Sequence, residues 1–153
     1  METLTSKQTA DVLSDLIRIN NDRIEGYEKA LRDLKSEDND LQLIFLKAID
    51  QSRSIRMSLG KEIQVLGEDI PTGTSGSGAI HRAWLELKAT FTGHSRHAIL
   101  ASCEFGEDAA QKAYESALKG EHLPEYLSGI VLQQKEELRI IHDEIKALRN
   151  QSA

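Results

Sequence analysis

The sequence predicts an all-α domain, a bundle of four long helices with a long crossover containing a short extra helix between helices two and three. Three observations predict it. Only two prolines, Pro71 and Pro124, occur in 153 residues, so little interrupts long helices. Apolar residues recur at spacings of three and four through four separate stretches, the period of one helix face. Aromatics make up 5% and β-branched residues are scattered, so no stretch reads as a strand.

The first helix is expected over about 9–35, on Val12, Leu13, Leu16, Ile19, Ile24, Tyr27, Leu31 and Leu34. The polar connector Ser36-Glu37-Asp38-Asn39 follows, with Asp38 or Asn39 placed to cap the next helix. That second helix is expected over about 40–66, and Gly67 stands where a C-terminal stop belongs. Residues 67–78 are rich in Gly, Ser and Thr and read as a flexible linker. A short crossover helix over about 79–92 carries Ile80, Trp84, Leu87 and Phe91 on one face, which predicts packing onto the bundle or a subunit contact. The third long helix, about 95–119, has an inner face of small residues that includes Ala98, Cys103, Gly106 and Ala110. The fourth, about 124–149, starts at Pro124, a favourable first-turn residue. Each long helix is roughly 37 Å in length at 1.5 Å per residue. The two short links make antiparallel pairs, whereas the middle link is long enough to leave helices two and three parallel. All 153 residues form one domain on this reading.

Composition narrows the function classes. Apolar residues are 39% and charged residues 29%, as in globular domains. The formal net charge of −6 argues against nucleic acid as a partner, since counterion release needs clustered Lys and Arg. No run approaches the roughly 18 apolar residues of a membrane span. The polar stretch Met1 to Asp11 lacks a signal-peptide core. A lone cysteine, Cys103, leaves no internal disulfide, and together these features predict a cytoplasmic protein.

Five stretches carry a resemblance: LSDLIRINNDRIEGYEKAL in the first helix, QSR at Gln51 to Arg53, HRAWLELKATFTG in the crossover, CEFGEDAAQKAYESAL in the third helix and IIHDEIKALR in the fourth. In this order they resemble a bacterial ferritin-like four-helix-bundle family of unknown function, composed mostly of conserved hypothetical proteins. The resemblance implies the ferritin-like fold and no established activity.

A di-iron centre in such a bundle takes a Glu from each of two helices and a Glu-x-x-His pair from each of the others. This chain has no Glu-x-x-His. At 100° per residue, the mid-bundle polar positions are Asn20, Tyr27, Ser52 and Gln134, expected to hydrogen-bond one another. Glu25 falls opposite the apolar stripe, Glu28 lies at its edge, Glu107 flanks it and Glu104 points outward. No metal or cofactor is therefore expected. The alternative is a degenerate di-iron or di-manganese site built from Glu28, Glu107, Glu137 and His142 after rotation of the helices.

His94 and His97 have a spacing that zinc can use, with His81 as the one candidate helper, but read as solvated histidines. The Gly-rich linker follows a helix and lacks the Gly-Lys-Ser/Thr of a phosphate loop. Cys103 is expected to be a buried, inert thiol among acidic neighbours. The functional expectation is a non-catalytic bundle that works by binding or assembly, as a dimer or with a protein partner. A divergent di-metal oxidoreductase or iron-handling protein is the alternative.

Overall fold

A computed structural model describes residues 2–75 and 95–152 of the chain. Among them are four long helices, α1 (Glu2–Asp33), α2 (Asn39–Val65), α3 (Arg96–Lys119) and α4 (Glu125–Gln151), and a 3-10 turn at Ser36–Asp38. None of these helices is long and apolar enough to cross a membrane. The expected crossover helix at 79–92, with Trp84, lies outside the described residues, as do His81 and His94.

The start of α1 departs from expectation. The helix begins at Glu2 rather than near Thr9. Thr9 is already interior at 2% exposure, and its hydroxyl donates to the backbone carbonyl of His122. Asp38 also differs from its expected role. It occupies the N-cap of α2 without a side-chain capping bond, because its carboxylate accepts from Arg96 at 3.0 Å. Ser95 caps α3 instead, its hydroxyl accepting from the amide of Ala98 at 3.2 Å.

Gly67 closes α2 as the spacing predicts. Its φ of 81° lies in the left-handed region that costs glycine little. The amides of Gly67 and Glu68 return to the carbonyls of Gln64 and Ile63 at 3.0 and 3.2 Å, the paired bonds of a Schellman stop.

The linker then doubles back over the bundle. A Cβ at Gly60 would lie 3.0 Å from Cδ1 of Ile70, so the strap passes close to α2 at this glycine. Further on, Asn21 donates to the carbonyl of Gly73 at 2.8 Å. Asp22 accepts from the amide of Ser75 at 3.2 Å and from its hydroxyl. These contacts cover the outer side of α1, which explains why Asn21 and Asp22 are buried along with the inward residues.

Contacts at the helix ends establish direction. Arg96, in the first turn of α3, pairs with Asp38 and Asp40 at the start of α2. Thr9, near the start of α1, meets the turn after α3, and Tyr126, in the first turn of α4, reaches Glu62 near the end of α2 at 3.4 Å. Helices α2 and α3 therefore run parallel to each other and antiparallel to α1 and α4. The interior falls into two apolar clusters. One is built on Tyr27, Leu41, Phe45, Leu100 and Ile145, the other on Leu13, Ile17, Leu59, Tyr114 and Val131. Along α1, α2 and α3 a polar layer lies between them.

Candidate functional site

The layer is made by residues that the heptad-like spacing of three helices turns inward. On α1, Asn20, Arg23 and Tyr27 are three and four residues apart, so they share one face. Ser52 on α2 and Glu107 on α3 meet them. Exposure is 1% for Asn20, 0% for Arg23, 0% for Ser52 and 1% for Glu107.

Arg23 is the hub. Its Nε donates to both oxygens of Glu107, at 2.7 and 3.1 Å, and Nη2 donates to Oε2 at 3.0 Å. The planar guanidinium matches the carboxylate fork, the strong bidentate geometry for this pair. Nη1 donates to the carbonyl of Ala48 at 3.0 Å and to the hydroxyl of Ser52 at 2.8 Å. Ser52 passes its own proton to Oδ1 of Asn20 at 2.8 Å. Asn20 in turn donates to the carbonyl of Leu16 at 2.8 Å and to the hydroxyl of Tyr114 at 3.0 Å. One directed chain of bonds thus joins α1, α2 and α3.

Burial opposes a charge on Arg23, but the charge and hydrogen bonds of Glu107 outweigh it and hold the guanidinium pKa above its ordinary value. Around the pair, burial pushes other protons on more firmly. The Tyr27 phenol is raised well above its usual range by desolvation and then by the Glu107 charge. The Cys103 thiol, at 0% exposure, is raised well above its usual range for the same two reasons. Desolvation raises the Tyr114 phenol too. Within the layer the Glu107 carboxylate is committed to Arg23, and the Cys103 thiol and both phenols are buried. The chemistry of the layer is the fixing of helix register and rotation.

The expected polar residues fare differently. Asn20 and Ser52 are brought together. The ring of Tyr27 packs 5.0 Å from that of Phe45, with the guanidinium carbon of Arg23 5.6 Å from its centroid. Gln134 is buried at 5% exposure, but its side-chain oxygen has no partner among the described residues and it does not join the chain of bonds. Arg23 and Tyr114 were not expected. Their signal was positional: Arg23 stands three residues after Asn20, and Tyr114 four after Ala110, on faces that were otherwise apolar or small.

The acidic candidates are dispersed. Glu107 does not flank the interior but lies inside it, committed to Arg23. Glu28 accepts from Arg53 at 2.8 Å on the surface. Glu137 is approached by Gln133 at 3.5 Å and lends its backbone carbonyl to Gln51 at 2.8 Å. His142 lies between Asp108 and Asp143, at 2.6 and 3.0 Å. The structure does not bring Glu28, Glu107, Glu137 and His142 together. Glu104, expected to point outward, is 8% exposed and lies 3.1 Å from Nε of Arg149, near the end of α4. His97 meets the hydroxyl of Ser152 at 3.2 Å.

A bridged metal pair needs several anionic oxygens and imidazoles around one small volume. Among the described residues no three His, Cys, Asp or Glu side chains come together in that way. Among the described residues, the carboxylate at the centre of the bundle, Glu107, has a guanidinium on both oxygens.

No curated protein and no solved structure matches the chain. A family model described as a domain of unknown function (DUF2383) matches residues 8–120. That span includes Asn20, Arg23, Ser52, Glu107 and Tyr114, and so the entire directed network. The chain belongs to this family.

Proposed function

We propose that the protein is a ferritin-like bundle whose central position holds a structural ion pair instead of a metal pair, and that it works by binding or assembly rather than by catalysis. The observation that carries this is the commitment of Glu107 to Arg23 at 2.7 to 3.1 Å at full burial. A guanidinium is a permanent cation. Placed among the inward positions of three helices, it supplies the positive charge that a buried carboxylate requires and repels any second cation. The parallel run of α2 and α3 supports the ferritin-like part of the reading, since one long crossover is the mark of that arrangement.

The proposal places the protein in the cytoplasm as a dimer or with a protein partner. Metal analysis of the untagged full chain, followed by titration with Fe(II) and Mn(II), tests the central part. The expected result is no stoichiometric metal and no ferroxidase turnover. Two equivalents of bound metal that disappear in Glu107→Ala would establish the competing di-metal reading. Light scattering on the same sample reads the oligomeric state.

A further inference from the structure

We propose that the groove between the outer face of α2 and the strap at residues 70–72 binds a small anion that carries an apolar arm. The groove encloses about 620 Å³, within the size range of small-molecule sites. Three cations line it, Arg53, Arg56 and Lys61, and among the described residues no Asp or Glu does. In a chain of net charge −6, that is a local reversal of sign.

Arg56 is the built part of the site. Its Nη1 donates to Oδ1 of Asn21 at 2.9 Å. The same Asn21, only 6% exposed, is anchored by its own bond to Gly73 at 2.8 Å. The guanidinium is thus oriented by a neutral amide, which fixes its direction and leaves its charge uncompensated. Among the described residues neither Arg56 nor Lys61 forms an ion pair, whereas Arg53 meets Glu28 at 2.8 Å. The apolar side of the groove comes from Met57, 67% exposed, and Ile70, 37% exposed, with Pro71 beside them. A head group of phosphate or carboxylate would be taken by Arg56 and Lys61, and a short alkyl chain would lie on Met57 and Ile70. This site is separate from the buried layer, so it stands or falls independently of the ferritin-like reading.

The test is calorimetric titration of the full chain at low ionic strength with hexyl phosphate and, separately, inorganic phosphate. Saturable binding at one site is expected, tighter for hexyl phosphate than for inorganic phosphate. Lys61→Gln and Arg56→Gln are each expected to weaken it by about tenfold, the loss of one charge-assisted contact. Lys61 is exposed and forms no ion pair among the described residues, so its variant keeps the fold and reads binding alone. Absence of saturable binding by either phosphate overturns the proposal, and so does undiminished binding in both variants. Equal affinity for the two phosphates overturns the apolar arm.

Discussion

Two ion pairs in this bundle perform the same connection in opposite surroundings. Arg23 and Glu107 join α1 to α3 with side chains 0% and 1% exposed. Arg96 joins the start of α3 to the start of α2 through Asp38 and Asp40, with side chains 32%, 11% and 52% exposed. At the rim, water can replace either partner. In the middle it cannot, and each charge depends wholly on the other. The centre therefore tolerates apolar replacement of both partners better than loss of one. Its value lies in specifying which helix faces meet, since a well-packed apolar replacement of both charges is often no less stable.

The largest expected effect breaks the central pair. Glu107→Ala leaves a buried guanidinium unpaired and should lower unfolding stability by about 3–5 kcal/mol, read from urea denaturation. Arg23→Met combined with Glu107→Leu should recover most of that loss. A cost under about 1 kcal/mol for Glu107→Ala would mean that the charge reaches water, and the contrast with the rim would collapse. Next in size is Ser52→Ala. It removes one acceptor from Arg23 and one donor to Asn20, and the groups left orphaned should cost about 1–3 kcal/mol. An unchanged urea midpoint would show that the network closes without the hydroxyl.

The sequence carried the four helices, the long middle link and two members of the layer. Asn20 and Ser52 are polar side chains on apolar stripes, and such groups must find partners inside. Arg23 occupies the same stripe, yet a charged residue there is ordinarily read as belonging to the surface. What places it inside is Glu107, 84 residues further on, and no local pattern announces a pairing across that separation. Helical phase put Glu107 at the flank, whereas the buried face of α3 also runs through Leu100 and Tyr114, and Glu107 falls between them. In the linker, a Gly, Ser and Thr composition gives no sign that Gly73 and Ser75 meet Asn21 and Asp22, buried polar residues of α1. Only the fold brings these partners together.

At the rim the expected losses are smaller. Arg96→Gln should cost at most about 1 kcal/mol in low salt, as exposed pairs do. The contribution should fade as ionic strength rises. A related sign is available at Asp40, whose carboxyl is held below its ordinary range chiefly by the hydrogen bond from Arg96. In Arg96→Gln that titration, followed by NMR, should move back toward the ordinary carboxylate value. An unmoved Asp40 would mean that the pair does not persist in solution.

The smallest effect, and the one that separates charge from packing most cleanly, concerns His142. Its side chain is 16% exposed, between Asp108 of α3 at 52% and Asp143 of its own helix at 63%. Both ring nitrogens face carboxylates, which accept and do not donate, so both must carry protons for the two bonds to form. Desolvation works against the charged ring, but the hydrogen bonds it donates to Asp143 and Asp108 outweigh it, and the pKa is raised above 6.5. A group whose folded pKa is raised contributes stability that is complete below its unfolded value of about 6.5. That contribution disappears as pH climbs through the higher folded value. His142→Gln should therefore be less stable than the parent chain near pH 5.5, by no more than about 1 kcal/mol because the partners are half-exposed. The two stability curves should converge as pH rises past the raised value. A difference that stays constant across that range would show a neutral ring held by packing alone, and would move His142 from the rim's electrostatics to the core's side of the comparison.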